Sequence, residues 1–256
     1  MVAKGYAQQY GIDYNEVFAP VARWDTVRSI LSVAACKNWN VYQLDVKSAF
    51  IHGELIETVY IEQPAEYQRE GDDKVFKLKK ALYGLKQAPR AWYSKIEAYI
   101  CQENFDKCPH EHTLFVKHIE GKALIVSLYV DDLIYTGNCE ELFEEFKSSM
   151  KKNFDMTDMG KMRYFLEVEV TQNEKGIFIH QQKYAREILS KFGMEDCNFV
   201  CNPIVPGNKL MKNEGGKYVD ATNFKQIIGS LMYLLATRPD LGYSVCLIAR
   251  FMEKTN

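Results

Sequence analysis

An α+β fold is predicted by three features of the sequence. Helical spacing of apolar residues behind Asp25 gives way to strand formers at 40–46; two apolar runs, 113–119 and 122–129, abut at Glu120-Gly121 as a hairpin would; and helix-periodic stretches close the chain behind a second hairpin signal. The 256 residues, 47% hydrophobic, 13% aromatic and 26% charged, can bury a sizeable core and exclude disordered, collagen-like and coiled-coil classes. No apolar run approaches the roughly 20 residues of a spanning helix: the stretch from Ala123 to Val130 is broken by Ser127 and ends at Asp131. The opening Met1-Val2-Ala3-Lys4-Gly5-Tyr6 lacks the apolar segment of a secretory signal. Seven scattered cysteines, an odd number, point to a reducing, intracellular compartment.

The elements follow in order. Val2 to Tyr10 has no capping residue or turn before it and is expected to start inside an element, as in a fragment. Asp25 is placed as N-cap to a helix burying Val27, Ile30, Leu31, Ala34 and Ala35. Asn40 to Val46 forms a strand ending at the carboxylate of Asp45, before a turn at His52-Gly53. Short strands at 59–61 and 75–78 flank a polar loop with Pro64 and Gly71-Asp72-Asp73. Pro89 then opens a helix carrying Trp92, Ile96, Tyr99 and Ile100 inward. After the hairpin, Asp131 and Asp132 occupy a tight turn before the strand 133–136. Glu140 to Phe154 reads as a helix with acidic residues at its start and Lys151-Lys152 at its end, which complements the helix dipole. Strands are expected at 164–171 and 176–180. Helices follow from Gln182 and around 227–236 and 241–252, beyond a loop with Pro203, Pro206 and Gly215-Gly216. The expected division is 1–160 and 161–256.

The net charge of −2 hides an asymmetry. Between Lys74 and Lys95 lie Lys77, Lys79, Lys80, Lys86 and Arg90 with no acidic residue, interleaved with Phe76, Tyr83, Trp92 and Tyr93. That mixture suits phosphates and base faces, although a solvated strand and helix face would look the same. Cys101, Cys108, His110 and His112 offer zinc-ligand types, but without a CxxC pair and directly before a strand they read better as a polar loop.

Three aspartates carry the chemistry. If the strand ending at Asp45 lies beside the hairpin, Asp45 and Asp131 face each other in an oxygen-rich site for Mg²⁺, and two such ions roughly 4 Å apart serve polymerases among other enzymes. An Asp-Asp turn is also a common structural device, and a carboxylate pair can serve a metal-free hydrolase such as a glycosidase.

Three motifs in order, Gln43-Leu44-Asp45-Val46-Lys47-Ser48-Ala49-Phe50, then Ala81-Leu82-Tyr83-Gly84-Leu85-Lys86-Gln87-Ala88-Pro89-Arg90, then Leu128-Tyr129-Val130-Asp131-Asp132-Leu133-Ile134-Tyr135, resemble the reverse transcriptase of copia-type retrotransposons. The similarity continues through Val2-Ala3-Lys4-Gly5, Phe18-Ala19-Pro20-Val21-Ala22-Arg23, Tyr164-Phe165-Leu166, Ile228-Gly229-Ser230-Leu231-Met232-Tyr233 and Ala236-Thr237-Arg238-Pro239-Asp240. The resemblance implies a right-hand polymerase with palm, partial fingers and helical thumb, taken from a Pol polyprotein without its integrase and RNase H segments. It implies Mg²⁺, or Mn²⁺, on Asp45, the Val46 carbonyl and Asp131, with Asp132 in support. Phe50, Tyr83, Gly84, Lys86 and Pro89 would meet the incoming deoxynucleoside triphosphate, Phe50 at its 2′ position. Tyr129, Lys86, Arg90, Phe165, Leu166 and Glu167 would meet an RNA or DNA template and its primer. No membrane partner is implied; a full-length element would work in cytoplasmic virus-like particles.

Two departures from the pattern bear on activity. Glu167 stands where the family usually has glycine, so a carboxylate would face primer phosphates unless the side chain points to solvent. The resemblance also implies a start beyond the family's leading finger strands. A degenerate or domesticated copy that binds nucleic acid without polymerising is the alternative.

Overall fold

The computed structural model describes residues 2–64, 67, 74–204, 207 and 220–254. They fall into two units, Met1–Met162 and Arg163–Asn256. The first is built on β1 (Val41–Val46), β4 (Asp106–Lys107), β5 (Leu114–Ile119), β6 (Lys122–Tyr129), β7 (Asp132–Gly137) and β8 (Met156–Lys161). These join in one antiparallel sheet of order β4-β5-β6-β7-β1-β8. A small ribbon of β2 (Tyr60–Ile61) and β3 (Phe76–Lys77) stands apart.

Strand alternation sorts the sheet into two faces. Leu44, Val46, Leu124, Val126, Leu128, Leu133 and Tyr135 form one core with α2 (Ala88–Gln102) and α3 (Glu140–Asn153). The helices enter it through Trp92, Ile96 and Ile100 and through Phe143, Phe146 and Met150. Each such fully buried side chain contributes roughly 1.5–3 kcal/mol. Val41, Ile134 and Thr136, of opposite parity, are buried as well. Helix α1 (Trp24–Lys37), which contacts β7, buries Val27, Ile30, Leu31 and Ala34. Asn38, left-handed at φ 55, ends α1 by returning its N–H to the Ala34 and Ala35 carbonyls.

Three expectations need correction, and one strand had no counterpart among them. Arg23, not Asp25, occupies the N-cap of α1, and Asp25 lies in the first turn, where a carboxylate meets the positive end of the helix. The segment 2–10 is no strand or helix interior: it carries a short 3₁₀ turn, Gly5–Ala7, and Ala3 N–H donates to the Tyr83 carbonyl at 2.7 Å. Strand β8 was not foreseen, because Met156-Thr157-Asp158-Met159-Gly160-Lys161 shows no clean alternation; its register against β1 shifts opposite Gln43/Leu44. The expected strand 164–171 is two, β9 (Tyr164–Phe165) and β10 (Val168–Asn173). Gly71 to Asp73, Pro206 and Gly215-Gly216 lie outside the described residues.

In the second unit, β9, β10 and β11 (Gly176–His180) form a sheet of order β11-β10-β9. Helices α4 (Gln182–Lys191), α5 (Ala221–Leu234) and α6 (Gly242–Ala249) follow. The Asp220 side chain caps α5, accepting from the N–H groups of Thr222 and Asn223. Tyr184 and Tyr233 join α4 to α5 with ring centroids 5.2 Å apart.

Candidate active site

The sheet aligns four half-buried side chains in one rung. Tyr129 on β6 pairs with Asp132 on β7, Asp132 with Asp45 on β1, and Asp45 with Thr157 on β8. All four share the parity of Val41 and Thr136. Those two are fully buried, whereas the rung at the other end of the strands is open to solvent. Two carboxylates thus face each other across β1 and β7 at a half-buried position, with Asp131 next in the chain to Asp132.

The tight turn is Val130-Asp131, and Asp132 already belongs to β7. Two expectations change here: Asp132, not Asp131, lies opposite Asp45 because the ladder runs one residue further than a turn holding both aspartates would allow, and the two-residue loop uses Val130 at φ 53. For a β-branched residue that conformation costs on the order of 1–3 kcal/mol. Two outside donors hold it. Val46 N–H donates to the Asp131 carbonyl at 2.8 Å, and Trp92 Nε1–H to the Val130 carbonyl at 2.6 Å.

Burial pushes the Asp131 carboxyl above its ordinary range; its own backbone N–H opposes the rise and the Asp45 charge adds to it. Burial also raises Asp132, against the donated amide of Gln43, with Asp45 and Asp131 adding repulsion. Gln43 Nε2 reaches Asp132 Oδ1 at 2.8 Å. Among the described residues no group of three His, Cys, Asp or Glu is arranged to hold a metal ion. With one oxygen of Asp132 bonded to Gln43, the carboxylates that could receive a cation are Asp45 and Asp131. Hard oxygen ligands of this kind, few and mutually repelling, suit Mg²⁺, which takes one or two carboxylates and completes its shell with water or phosphate.

Beside the carboxylates stands an aromatic wall. Phe50 and Tyr83 lie 4.7 Å apart between ring centroids. Burial first, then the Asp131 charge, raises the Tyr83 hydroxyl; the backbone of Phe50 and Ala49 hydrogen-bonds it in opposition, and the Asp45 charge adds to the rise. Phe50 is half-buried and packs against two apolar clusters, so it is both core and wall. The neighbouring segment is tied to the start of the chain. A Cβ on Gly84, at φ 96, would stand 2.1 Å from the Ala3 carbonyl oxygen. Lys86 Nζ donates to the Gln8 carbonyl at 3.4 Å and to the Tyr14 hydroxyl at 3.2 Å. Gln87 is buried between Gln8 and Asp13. Pro89 lies in the first turn of α2 and Arg90 is half-buried after it.

In the second unit, Leu166 at φ 47 and Glu167 at φ 57 form the two-residue turn between β9 and β10. Two successive left-handed residues define the turn type that favours glycine at its second position. The backbone thus gives the glycine a reason that the sequence reading did not supply. Glu167 is exposed and accepts a hydrogen bond from the Tyr164 hydroxyl, which that bond pushes up to about 12. Phe165 is buried, and Tyr233 OH donates to the Leu166 carbonyl at 2.5 Å.

Sequence reasoning missed Gln43, Trp92 and Tyr233 as supports. Trp92 lies in a stripe with Ile96, Tyr99 and Ile100 that announces only burial; the available signal was that a buried indole must find an acceptor.

Residues 1–206 match the family model described as reverse transcriptase (RNA-dependent DNA polymerase). The chain is 38% identical over 255 residues to a retrovirus-related Pol polyprotein from transposon RE1 of Arabidopsis thaliana, covering 99% of this chain and 17% of the relative. To that of transposon RE2 of the same plant it is 37% identical over 255 residues, with the same coverage. To that of transposon TNT 1-94 of Nicotiana tabacum it is 36% identical over 264 residues, covering 99% and 20%. The chain spans a fifth or less of the length of these relatives.

Proposed function

Because the chain belongs to the reverse transcriptase (RNA-dependent DNA polymerase) family, we propose that it is the DNA-polymerising segment of a copia-type Pol polyprotein. It extends a primer on an RNA or DNA template from deoxynucleoside triphosphates. The observation that carries this reading is the register of Asp45 against Asp132 with Asp131 in the adjoining strained turn. In it, residues 1–160 are palm and partial fingers, and 161–256 are primer-grip hairpin, thumb and the start of the connection.

Asp45, Asp131 and the Val46 carbonyl would hold Mg²⁺ or Mn²⁺. When bound, such ions activate a 3′ hydroxyl and neutralise charge on the departing pyrophosphate. Asp132, held by Gln43, adds negative potential that favours cation binding without spending both of its oxygens. Phe50 and Tyr83 present their rings to the sugar of the incoming nucleotide, and Gly84, Lys86 and Pro89 continue that surface. Tyr129, one strand over from Asp132, supports the primer end. Arg90 and Lys86 meet template or primer phosphates, as does the turn Phe165-Leu166-Glu167. For Lys86 this means exchanging the Gln8 and Tyr14 contacts for a phosphate.

Primer extension on an RNA template with the four deoxynucleotides and Mg²⁺, run beside filter binding, tests the reading. Extension abolished by EDTA supports it. Binding without extension indicates a domesticated copy, and neither binding nor extension overturns the nucleic-acid assignment.

A further inference from the structure

The peptide group between Val130 and Asp131 is held from outside the turn. Its carbonyl accepts the Trp92 indole N–H at 2.6 Å. Its nitrogen is that of Asp131, whose own carbonyl accepts the Val46 N–H at 2.8 Å, so the peptide planes on both sides of the Asp131 Cα are held. Pinning both planes fixes the direction in which the Asp131 side chain leaves the backbone. Nothing intrinsic to the sequence holds this plane, since Val130 at φ 53 sits where a β-branched residue is disfavoured.

The donor itself is immobile. Trp92 is 1% exposed, with its ring 5.4 Å from Phe154 in an edge-on contact and 5.9 Å from His52. The backbone of α2 is pressed against Gly53, where an added Cβ would fall 2.6 Å from the Trp92 nitrogen. A carboxylate in a strained two-residue loop is thus referred to the helix packed against the sheet.

We propose that Trp92 is a positioning residue, whose indole N–H fixes the Val130–Asp131 peptide plane and so aims the Asp131 carboxylate at Asp45. It touches neither substrate nor ion and acts only through the turn. The inference rests on the polymerase reading, and it separates from plain core packing because only the N–H matters to it.

The test replaces Trp92 in the full chain by benzothienylalanine, which keeps the bicyclic shape and exchanges the N–H for sulfur, beside Trp92→Phe. Single-nucleotide incorporation with Mg²⁺ and equilibrium primer–template affinity are measured for each, with thermal unfolding as the check on folding. The expected result is an incorporation rate constant about 10- to 100-fold lower in the benzothienyl protein, the size of effect that small misplacement of a reacting group produces, at primer–template affinity within about twofold of wild type. Unchanged incorporation overturns the proposal, and so does a fall in affinity that matches the fall in rate. Amide resonances give a readout independent of activity: changes confined to residues 129–132 in the benzothienyl protein support positioning, and an unmoved Asp131 amide overturns it. A wild-type chain that does not extend a primer overturns the polymerase reading instead, and the resonances then decide the positioning claim alone.

Discussion

Gln43 donates its side-chain amide to Asp132 Oδ1 at 2.8 Å, reaching diagonally across the β1–β7 ladder from the residue two positions before Asp45. Both side chains project from the same face, since positions two apart on a strand share a face. One strand thereby supplies both the carboxylate that opposes Asp132 and the donor that steadies it. Of the three aspartates, Asp132 is thus anchored by a side chain from the strand that carries Asp45.

Gln43→Leu removes that donor at similar volume and leaves a partly buried carboxylate uncompensated. Asp132, already raised, rises further. A group with a raised folded pKa contributes stability that is present at low pH and lost as pH climbs through that pKa. The variant is therefore expected to match wild type near pH 4 and to lose about 1–3 kcal/mol at pH 7. Urea unfolding at the two pH values checks this; an equal loss at both would show that the amide serves packing alone.

The same sign applies to the wild-type cluster. Asp131 and Asp132 are both raised, by burial first and by the neighbouring aspartate charges with it. In EDTA the contribution of these two groups, read as the difference in thermal midpoint between wild type and a protein with both replaced by Asn, is expected to be most favourable to wild type below the ordinary carboxylate range and to fall as pH rises through the raised values. Adding Mg²⁺ at pH 7 should restore part of that loss, because a cation bound to the folded state stabilises it by mass action. A midpoint at pH 7 indifferent to Mg²⁺ would contradict the donor set assigned to Asp45 and Asp131.

Glu167→Gly relieves a left-handed non-glycine residue and removes only an exposed contact to Tyr164. Against the greater chain entropy of glycine, the net gain expected is up to about 1 kcal/mol. Primer affinity should rise at low salt, where a carboxylate near phosphates is least screened. Increased stability without increased affinity would place this turn away from the primer.

Phe50→Val opens space beside Tyr83 while remaining apolar. Forcing a 2′ hydroxyl against the wild-type ring costs roughly 1–3 kcal/mol, so ribonucleotide incorporation relative to deoxyribonucleotide should rise about ten- to a hundredfold in the variant. Because Phe50 also packs into two clusters, some loss of stability accompanies the change. A fall in both substrates with an unchanged ratio would assign the ring to the core alone.

Much of this site was legible before the fold. Asp45, Asp131 and Asp132 stood out because strand formers led up to the carboxylates, and the expected adjacency of the two segments is what β1 and β7 show. The helices with clean apolar stripes, α1, α2 and α3, were equally readable. Strand β8 was not, because an edge strand with a bulge and Gly160 at φ 68 has no alternation to detect. The supports were hidden for a different reason. Trp92 and Val130 are 38 residues apart, and an indole-to-carbonyl bond leaves no mark on the letters of either. The Leu166-Glu167 turn was hidden by its own sequence, since nothing in Phe165-Leu166-Glu167-Val168 announces two left-handed residues. Only the hold of Tyr233 on Leu166 makes sense of it afterwards.

The central claim is that Asp131 works as a carboxylate in nucleotidyl transfer, and Asp131→Asn tests it most directly. The substitution keeps shape and hydrogen-bonding capacity while removing a charge that folding does not need. Single-nucleotide incorporation on a primed RNA template with Mg²⁺ is expected to fall by at least about a hundredfold, while primer–template binding persists and the thermal midpoint in EDTA at pH 7 holds or rises. Incorporation at the wild-type rate by the folded Asp131→Asn protein would contradict the account.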